Sequence, residues 1–356
     1  MVSTRQRGHN GSPTESDIFM IVWAWAGFLL LIAVILAIDL GLLNRDPHAV
    51  SMREAAVFTA FTMLLAFVFA GVIYLAYNGH WLGLGTHRDG VDGVVNDGRL
   101  ASVKFVTGYL IELSLSMDNV FVIALIFHHM RVPAQYQHRV LFWGILGALA
   151  MRGAMIGLGA GLVARYEWIL YIFGAFLLVT AVRMLLSQEE HSTPDEAVVV
   201  RFLRKHFPVS DQFHGQHFLV TLDARRYLTP LAVALVLVET SDLIFAVDSI
   251  PAIFAITADP FLVFTSNIFA ILCLRSLYFG LANLIERFRY LRFSLALVLG
   301  LVGAKMLAAH PLATLLGPNT NFWLLGAIVL ILVGGAVASA VVTKAEVRSG
   351  QNDSSR

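Results

Sequence analysis

The sequence has a single cysteine, Cys273, and few charged residues. One cysteine excludes an intramolecular disulfide and a metal cage built from several thiolates. Charged residues make up 14% of the 356 positions and hydrophobic residues 58%, which is far from the composition of a soluble domain. The net charge of +1 provides no argument for a nucleic-acid partner, and none is expected. We therefore expect an integral membrane protein.

Nine apolar runs are long enough to cross the hydrocarbon core of a bilayer, which takes about 20 helical residues. Runs of this length are unlike the short alternating strands of an outer-membrane barrel. The sequence predicts an all-α polytopic membrane protein with about nine transmembrane helices. The runs are 18–43, 54–77, 104–128, 139–164, 166–187, 228–250, 260–284, 292–310 and 322–343.

Basic residues predict the orientation of these helices. Of the 25 Lys and Arg residues, 15 fall in one alternating set of loops together with the C-terminal tail, and 6 fall in the other set. The positive-inside rule then places the N-terminus outside and the C-terminus in the cytoplasm, in a plasma (inner) membrane. The segment 188–227 would be cytoplasmic, and its stretch "PDEAVVVRFLRKHF" predicts a short amphipathic helix.

Three pairs of short segments indicate an internal repeat. "ELSLSMDNV" (112–120) resembles "DLIFAVDSI" (242–250), "MRGAMIGL" (151–158) resembles "LRSLYFGL" (274–281), and "LVTAVRML" (178–185) resembles "GLVGAKML" (300–307). The pairs keep their order, which predicts two units of three helices. Units with an odd number of spans face opposite ways, so the repeats are expected to be inverted, as in many transporters with a binding site at the midplane.

The repeat divides the chain into predicted segments. They are a disordered external N-terminus (1–17), two helices and an external loop (18–103), repeat 1 (104–187), a cytoplasmic linker (188–227), repeat 2 (228–310), a C-terminal helix (311–343) and a disordered cytoplasmic tail (344–356).

Several carboxylates lie inside the predicted spans, where a charge costs a few kcal/mol even on the most permissive scale, about 2.5–3.5 kcal/mol. Such residues are expected to face partners, water or an ion. Carboxylate, amide and hydroxyl oxygens without Cys or His suit a hard divalent cation such as Mn²⁺, Mg²⁺ or Ca²⁺. The predicted metal ligands are Glu112, Asp118, Asn119, Glu239, Asp242 and Asp248, with Asp39 and Ser249 as secondary candidates.

Helix geometry limits which of these acids can meet. Glu112 and Asp118 are six residues apart, as are Asp242 and Asp248, and this spacing is about 120° around a straight helix. Local unwinding near 114–116 and before Pro251 would relax this limit. Four bases inside spans leave two alternatives open, a gate or counter-charge released by the cargo and fixed salt bridges between helices: Arg152, Arg183, Arg275 and Lys305.

At these residues the sequence resembles the TerC family, membrane proteins associated with tellurium resistance that include the Alx type. The resemblance rests on "IELSLSMDNVFV" (111–122), "IDLGLLNRDPHAVSMREA" (38–55) and the long stretch 229–279, and it covers most of 18–343. One departure is Cys273, where glycine is expected. The resemblance implies inverted three-helix repeats of the lysine-exporter superfamily, Mn²⁺ export, and a role for the six predicted ligands in binding the ion.

Two other classes of function stay open. A membrane scaffold could work beside a secretion channel and aid metalation or insertion of exported proteins, with 188–227 as its docking surface. An intramembrane hydrolase could use paired carboxylates, but the chain has no HExxH sequence, and no enzymatic activity is expected.

Overall fold

A computed structural model describes residues 15–38, 52–166, 168–186, 194–222, 225–281, 291–308 and 319–353. These residues form ten α-helices, one 3-10 turn at Trp81–Gly83 and one β-hairpin. The hairpin strands are β1 (Leu219–Leu222) and β2 (Arg225–Leu228), which are antiparallel. The helices are α1 (Glu15–Ile38), α2 (Met52–Asn78), α3 (Gly98–His129), α4 (Ala134–Arg165), α5 (Ile169–Leu186), α6 (Pro194–His206), α7 (Pro230–Phe254), α8 (Pro260–Leu281), α9 (Leu291–Leu307) and α10 (Thr320–Asp353).

Seven of the described helices are long and apolar enough to cross a membrane, namely α1 to α5, α7 and α10. Two shorter apolar stretches, Pro260–Leu274 in α8 and Phe293–Leu307 in α9, accompany them. The nine predicted runs therefore correspond to nine helices in the described part of the chain. The predicted all-α polytopic membrane fold is confirmed.

Side-chain caps fix where three of these helices begin. Asp97 precedes α3 and accepts a hydrogen bond from a backbone N–H of its first turn at 2.7 Å. Thr229 does the same for α7, and Pro230 follows it at a position where no backbone donor is needed. Asp259 accepts from the backbone N–H of Phe261 at 3.0 Å at the start of α8.

The two predicted repeats pack against each other reciprocally. Helix α3 packs on α8, α4 packs on α7, and α5 packs on α9. At the last contact, a Cβ added to Gly303 would lie 2.9 Å from the carbonyl oxygen of Gly174, so the absence of a side chain permits the close approach. Two units related by a two-fold axis would give this pattern of contacts, and the inverted repeat stays a prediction.

The helices do not unwind at the two places that the sequence suggested. Helix α3 is continuous through 114–116, where the Ser114 hydroxyl donates to the carbonyl of Leu110 within the same helix at 2.6 Å. Helix α7 continues through Pro251 and ends at Phe254. Because Pro251 lies in the last turn, its missing N–H removes a bond only at the end of the helix. The prediction of local unwinding is wrong.

An aromatic cluster joins the first two helices to the repeats. Phe28 of α1, Phe69 of α2, Phe105 of α3 and Phe269 of α8 are in mutual contact, and the rings of Phe69 and Phe269 are 4.9 Å apart between centroids. Aromatic pairs at this distance add to the stability that burial provides. Helices α1 and α2 are therefore fixed against α3 and α8.

The linker contains α6 at the position where the sequence predicts an amphipathic helix, followed by the hairpin. Helix α10 differs from expectation, since it continues to Asp353 and enters the tail expected to be disordered. Adding residues to an existing helix avoids the cost of nucleation, which explains the extension.

Candidate functional site

Polar side chains from four helices meet around Arg152, which lies near the middle of α4 and is 1% exposed. Its Nη1 donates to Glu112 of α3 and, at 2.8 Å, to Asn267 of α8. Its Nη2 and Nε donate to the two carboxylate oxygens of Asp242 of α7 at 3.1 and 3.4 Å. A weaker contact at 3.3 Å reaches the hydroxyl of Ser249. One guanidinium therefore joins both predicted repeats.

Asn119 of α3 holds the same carboxylate from another side. Its amide nitrogen donates to Asp242 Oδ1 at 3.0 Å, and its amide oxygen accepts from the hydroxyl of Ser241 at 3.3 Å. All three side chains are buried. Buried networks of this kind fix the orientation of their members, because each broken bond leaves an unsatisfied group in a medium of low dielectric.

The charges of this cluster do not cancel. Glu112 and Asp242 are both buried and share the single guanidinium of Arg152. When all three groups are ionised, the cluster carries one net negative charge. Burying a charge without a partner is costly, so the cluster attracts a further positive charge.

Two oxygens on one face of α3 have no hydrogen-bond partner among the described residues. They are Glu112 Oε2 and Ser116 Oγ, both buried. Residues four apart lie on the same face of a helix, so the two oxygens face the same side. Carboxylate and hydroxyl oxygens are among the ligands that hard divalent cations use.

Glu239 lies three residues before Asp242 and packs against the backbone of Gly147 in α4. A Cβ at position 147 would overlap the carboxylate of Glu239. The Oε2 atom of Glu239 is buried and has no hydrogen-bond partner in the described part of the chain. A glycine at this position therefore makes room for an acid between α7 and α4.

The structure separates the predicted ligands into inner and outer positions. Glu112, Asp242 and Ser249 contact Arg152, and Asn119 joins this inner cluster through its hydrogen bond to Asp242. Asp118 and Asp248 are half-buried on the same helices. Spacing by six residues turns these two acids away from the inner ones on continuous helices. No three His, Cys, Asp or Glu side chains among the described residues come together closely enough to hold a metal ion. The six-residue ligand set stays a prediction.

The predicted counter-charges lie in different environments. Arg152 is part of the inner cluster, whereas Arg183 is exposed on α5 and its charge acts on Asp248. Lys305 is buried on α9 and donates to the backbone carbonyl of Ala255, just beyond α7, at 2.6 Å. A cation at the C-terminal end of a helix is favourably placed.

Two further candidates cannot be assigned a contact. Asp39 lies outside the described residues. Arg275 is in α8, and its side chain lies outside the part that the structure describes.

Sequence reasoning missed Asn267, which contacts Arg152 directly. It belongs to the polar run 265–267 inside the apolar helix α8. The hydroxyls of Thr265 and Ser266 donate to carbonyls of their own helix at 2.7 and 2.8 Å. Asn267 is thus the member of the run that reaches another helix, and a polar run within a span was the signal for it.

A second buried cluster was also missed, at the end of the bundle where the loop 79–97 lies. Lys104 of α3 is 0% exposed, and its ammonium donates to Asp89 at 2.8 Å and to the amide oxygen of Asn96 at 2.7 Å. It also forms an ion pair with Asp92 at 2.8 Å. The sequence suggested only a connector here, because the partners precede the lysine by 8 to 15 residues in a loop.

Asp89 also binds the turn between α7 and α8. It accepts from the hydroxyl of Thr257, and from the backbone N–H of Ala258 at 2.9 Å. Burial alone would raise the pKa of Asp89, but the charge and hydrogen bond of Lys104, with these other donors, hold that pKa below its ordinary value. The carboxylate is therefore ionised near neutral pH.

Asp259 lies beside this cluster and shows the opposite shift. It accepts from the Tyr77 hydroxyl at 2.8 Å. Burial raises the pKa of Asp259 above its ordinary value, and the negative charge of Asp89 raises it further. The two carboxylates next to each other thus differ in acidity.

The chain is similar to several proteins of known family. Residues 98–347 match the model described as "Integral membrane protein TerC family". A protein of Myxococcus xanthus named "Uncharacterized membrane protein STKORF319" is 46% identical over 79% of this chain and 82% of its own length. The "Putative membrane-bound redox modulator Alx" of Escherichia coli (strain K12) is 45% identical over 82% of this chain and 89% of its own length.

A more distant relative, an "Uncharacterized membrane protein" of Rickettsia bellii, is 38% identical over 82% of this chain and 89% of its own length. No solved structure matches the chain. The family match covers well over half of the residues, including all four helices around Arg152. The chain therefore belongs to the TerC family of integral membrane proteins.

Proposed function

We propose that this chain is a secondary transporter that exports a hard divalent cation, with Mn²⁺ as the leading candidate. The observation that carries the proposal is the buried cluster at Arg152, where two carboxylates from different helices, α3 and α7, share one guanidinium. The positive charge that these carboxylates share is the guanidinium of Arg152, a side chain of the protein itself. A divalent cargo ion carries more charge and can replace the guanidinium.

The oxygens around Arg152 suit a hard ion. Glu112, Asp242 and Asn119 provide carboxylate and amide oxygens, and Ser116 provides a hydroxyl oxygen without a hydrogen-bond partner among the described residues. Oxygen ligands of this kind are typical of sites for Mn²⁺, Mg²⁺ and Ca²⁺. The preference for Mn²⁺ among these ions comes from the resemblance to the family.

Exchange between Arg152 and the ion would allow both binding and release. A divalent ion between Glu112 and Asp242 would compensate their charges without the guanidinium, which would keep the amide oxygen of Asn267 as a neutral acceptor. Return of the guanidinium supplies those carboxylates with a partner again, so the ion leaves without exposing bare buried charges. The guanidinium of Arg152 thus competes with the cargo ion for the same two carboxylates.

Proton exchange provides a second way to compensate acids when the ion is absent. Glu239, Asp118 and Asp248 are half-buried acids near the inner cluster in sequence, and a protonated carboxyl is much cheaper to bury than a carboxylate. We therefore propose coupling of Mn²⁺ export to proton entry. The proposed orientation has the N-terminus outside and the C-terminus in the cytoplasm of the plasma membrane.

Reconstituted protein tests the proposal directly. Proteoliposomes loaded with a Mn²⁺-sensitive dye would report flux through the parent chain and through Glu112→Gln and Asp242→Asn. Loss of at least about tenfold in flux is expected in both variants, because each removes one charge from the inner cluster. Asp211→Asn, at an exposed position in the linker, is the control. Unchanged flux in the two inner variants would rule out this site.

The outer acids can be tested in the same assay. Asp118→Asn and Asp248→Asn leave Arg152 and the side chains to which it donates hydrogen bonds in place. If Asp118 and Asp248 carry the protons that are exchanged for the ion, flux in the variants should lose its dependence on an imposed pH gradient while Mn²⁺ still binds. Equal pH dependence in parent and variants would contradict the coupling.

A second candidate function is redox modulation, which the names of several relatives mention. Cys273 is the only cysteine of the chain and is fully buried, so a dithiol within one chain is not available. A redox effect through metal supply would survive Cys273→Ala, and loss of the effect in this variant would favour thiol chemistry instead.

A further inference from the structure

The linker between α5 and α7 forms a surface that the proposed transport does not use. It consists of α6 and the hairpin β1–β2, called here the linker surface. Helix α5 ends at Leu186 and α6 begins at Pro194, while β2 ends at Leu228 and α7 begins at Pro230. A chain advances at most about 3.6 Å per residue, so these short connections keep the linker surface close to the ends of two membrane-spanning helices.

The hairpin is fixed to the helices. Thr229, the cap of α7, donates through its hydroxyl to the carbonyl of His217 at 2.7 Å, and its N–H donates to the carbonyl of Phe218 at 3.0 Å. The Phe218 ring contacts Trp143 of α4 at 6.5 Å between centroids, and the guanidinium of Arg139 lies 5.6 Å from the same ring. The linker surface therefore has a defined position at the ends of α4 and α7.

Helix α6 has apolar residues on two faces. Leu203 is buried in the hydrophobic core, which accounts for one of them. Val198 and Phe202 lie four residues apart on another face and are 61% and 57% exposed. In the hairpin, Leu219 is 56% exposed. Apart from the contact between the rings of Phe202 and His206 at 4.3 Å, these side chains remain largely exposed among the described residues. A contiguous exposed apolar patch rimmed by polar residues is typical of an interaction site.

Basic residues surround the exposed apolar side chains. Arg201 and Lys205 lie on the same side of α6 as Phe202, by helical spacing, and all three are exposed. Arg225 and Arg226 are exposed in β2. Across 194–228 the sequence has five Lys and Arg residues and four Asp and Glu residues, and Asp211 is the one of these acids whose side chain the structure describes. The C-terminal half of α6 and strand β2 thus combine exposed apolar side chains with clustered bases.

We propose that the linker surface binds the anionic headgroups of the bilayer that contains the protein. Phe202, Val198 and Leu219 enter the boundary between headgroups and acyl chains, while Arg201, Lys205 and Arg226, which lies on the hairpin face of Leu219, contact lipid phosphates. Helices with this combination lie in the membrane interface. Anionic lipid is the partner that fits, because it supplies both negative charge and an apolar layer, and the ends of α5 and α7 place it within reach.

Hydrogen exchange in the full-length protein tests this proposal. The protein would be placed in nanodiscs of phosphatidylcholine alone and of phosphatidylcholine with 30% phosphatidylglycerol. We expect amides of α6 to exchange about fivefold more slowly in the anionic discs, as each base near an anionic surface adds an attraction of that order. The difference should disappear in 1 M salt, which screens the charges.

Two double variants provide the comparison. Arg201→Gln with Lys205→Gln removes two bases from the linker surface, and Arg88→Gln with Arg165→Gln removes two exposed bases elsewhere in the chain. The first variant should lose the lipid dependence and the second should keep it. Equal amide exchange rates of α6 in the two lipid compositions would overturn the proposal, as would equal loss of the lipid dependence in both double variants. Either result would favour a protein partner for the linker surface. Because exchange is measured without Mn²⁺, the result is independent of transport.

Discussion

Arg152 of α4 and Asp242 of α7 form an ion pair buried in the interior of the bundle, with 3.1 Å between Nη2 and Oδ1. The pair connects a helix of one predicted repeat to a helix of the other. Buried ion pairs contribute little net stability compared with apolar packing, yet removing one partner is costly. This asymmetry makes the pair suitable for a function in which another cation replaces the arginine.

Replacing Arg152 by glutamine should destabilise the protein and sensitise it to Mn²⁺. The change leaves Glu112 and Asp242 without their shared cation and should lower the free energy of unfolding by about 3–5 kcal/mol. Mn²⁺ at about 100 times its dissociation constant should restore roughly 2.7 kcal/mol. Thermal unfolding in detergent, with and without Mn²⁺, measures both effects. Arg165→Gln, at an exposed position, serves as control. An equal Mn²⁺ response in Arg152→Gln and the parent would contradict the competition.

Gly147→Ala should disturb the position of Glu239. The new methyl group would overlap its carboxylate, so the free energy of unfolding should fall by about 1–3 kcal/mol and Mn²⁺ flux should decrease. Gly157→Ala is the matched control on the same helix, because a Cβ there meets nothing within 4 Å. In a helix interior that change should stabilise by roughly 0.5–1 kcal/mol. Thermal unfolding of both variants measures these changes in the free energy of unfolding. Similar changes in the two variants would show that Glu239 does not need the space beside Gly147.

Asn119→Leu should lower both stability and flux. The change removes the donor to Asp242 and the acceptor for Ser241, and leaving such buried groups unsatisfied costs about 1–3 kcal/mol. Thr240→Val is a suitable comparison, because the Thr240 hydroxyl bonds only to the carbonyl of Val236 in its own helix. Unfolding and flux assays on the two variants should differ clearly. A loss confined to stability would place Asn119 outside the transport path.

Asp89→Asn should destabilise the protein in a way that depends on pH. Because the pKa of Asp89 is lowered by folding, its ionised form stabilises the protein fully above the ordinary value of 3.8. That contribution is lost as pH falls through the lower pKa of the folded state. The variant should therefore be less stable than the parent by about 3–5 kcal/mol at pH 7, since Lys104 loses a buried partner, and the difference should narrow below about pH 4.

Thermal unfolding between pH 3 and 7 checks this prediction. Asp97→Asn is the control, because asparagine caps a helix about as well as aspartate and Asp97 is exposed. A stability difference between Asp89→Asn and the parent that stays constant with pH would show that ionisation of Asp89 is not the cause.

The sequence was sufficient to predict the fold class and to single out the acids inside the predicted spans. Spans are readable because apolar length is a local property, and the separation of Glu112 from Asp118 follows from helical periodicity alone. The partners of these acids are not local. Arg152 lies 40 residues from Glu112 and 90 from Asp242, and only the packing of both α3 and α4 against α7 brings the three together.

Other contacts escaped prediction for related reasons. Asn267 carries no charge, so it did not stand out beside the acids, although the polar run around it was a signal. The contacts of Asp89 depend on the path of an irregular loop, which has no periodicity to read. Unwinding was expected at Pro251, but the helix ends too soon after this residue for the missing bond to matter.

The attachment of Asp89 has a mechanical consequence. It binds Lys104 near the start of α3 and Thr257 just beyond the end of α7, so the two helices that carry the inner acids are clamped together at one end. Relative motion of α3 and α7 must then pivot about this clamp, and the gap between them widens mainly at the far end, near His129 and Pro230. A passage opening toward the clamped end would first have to rupture the contacts of Asp89.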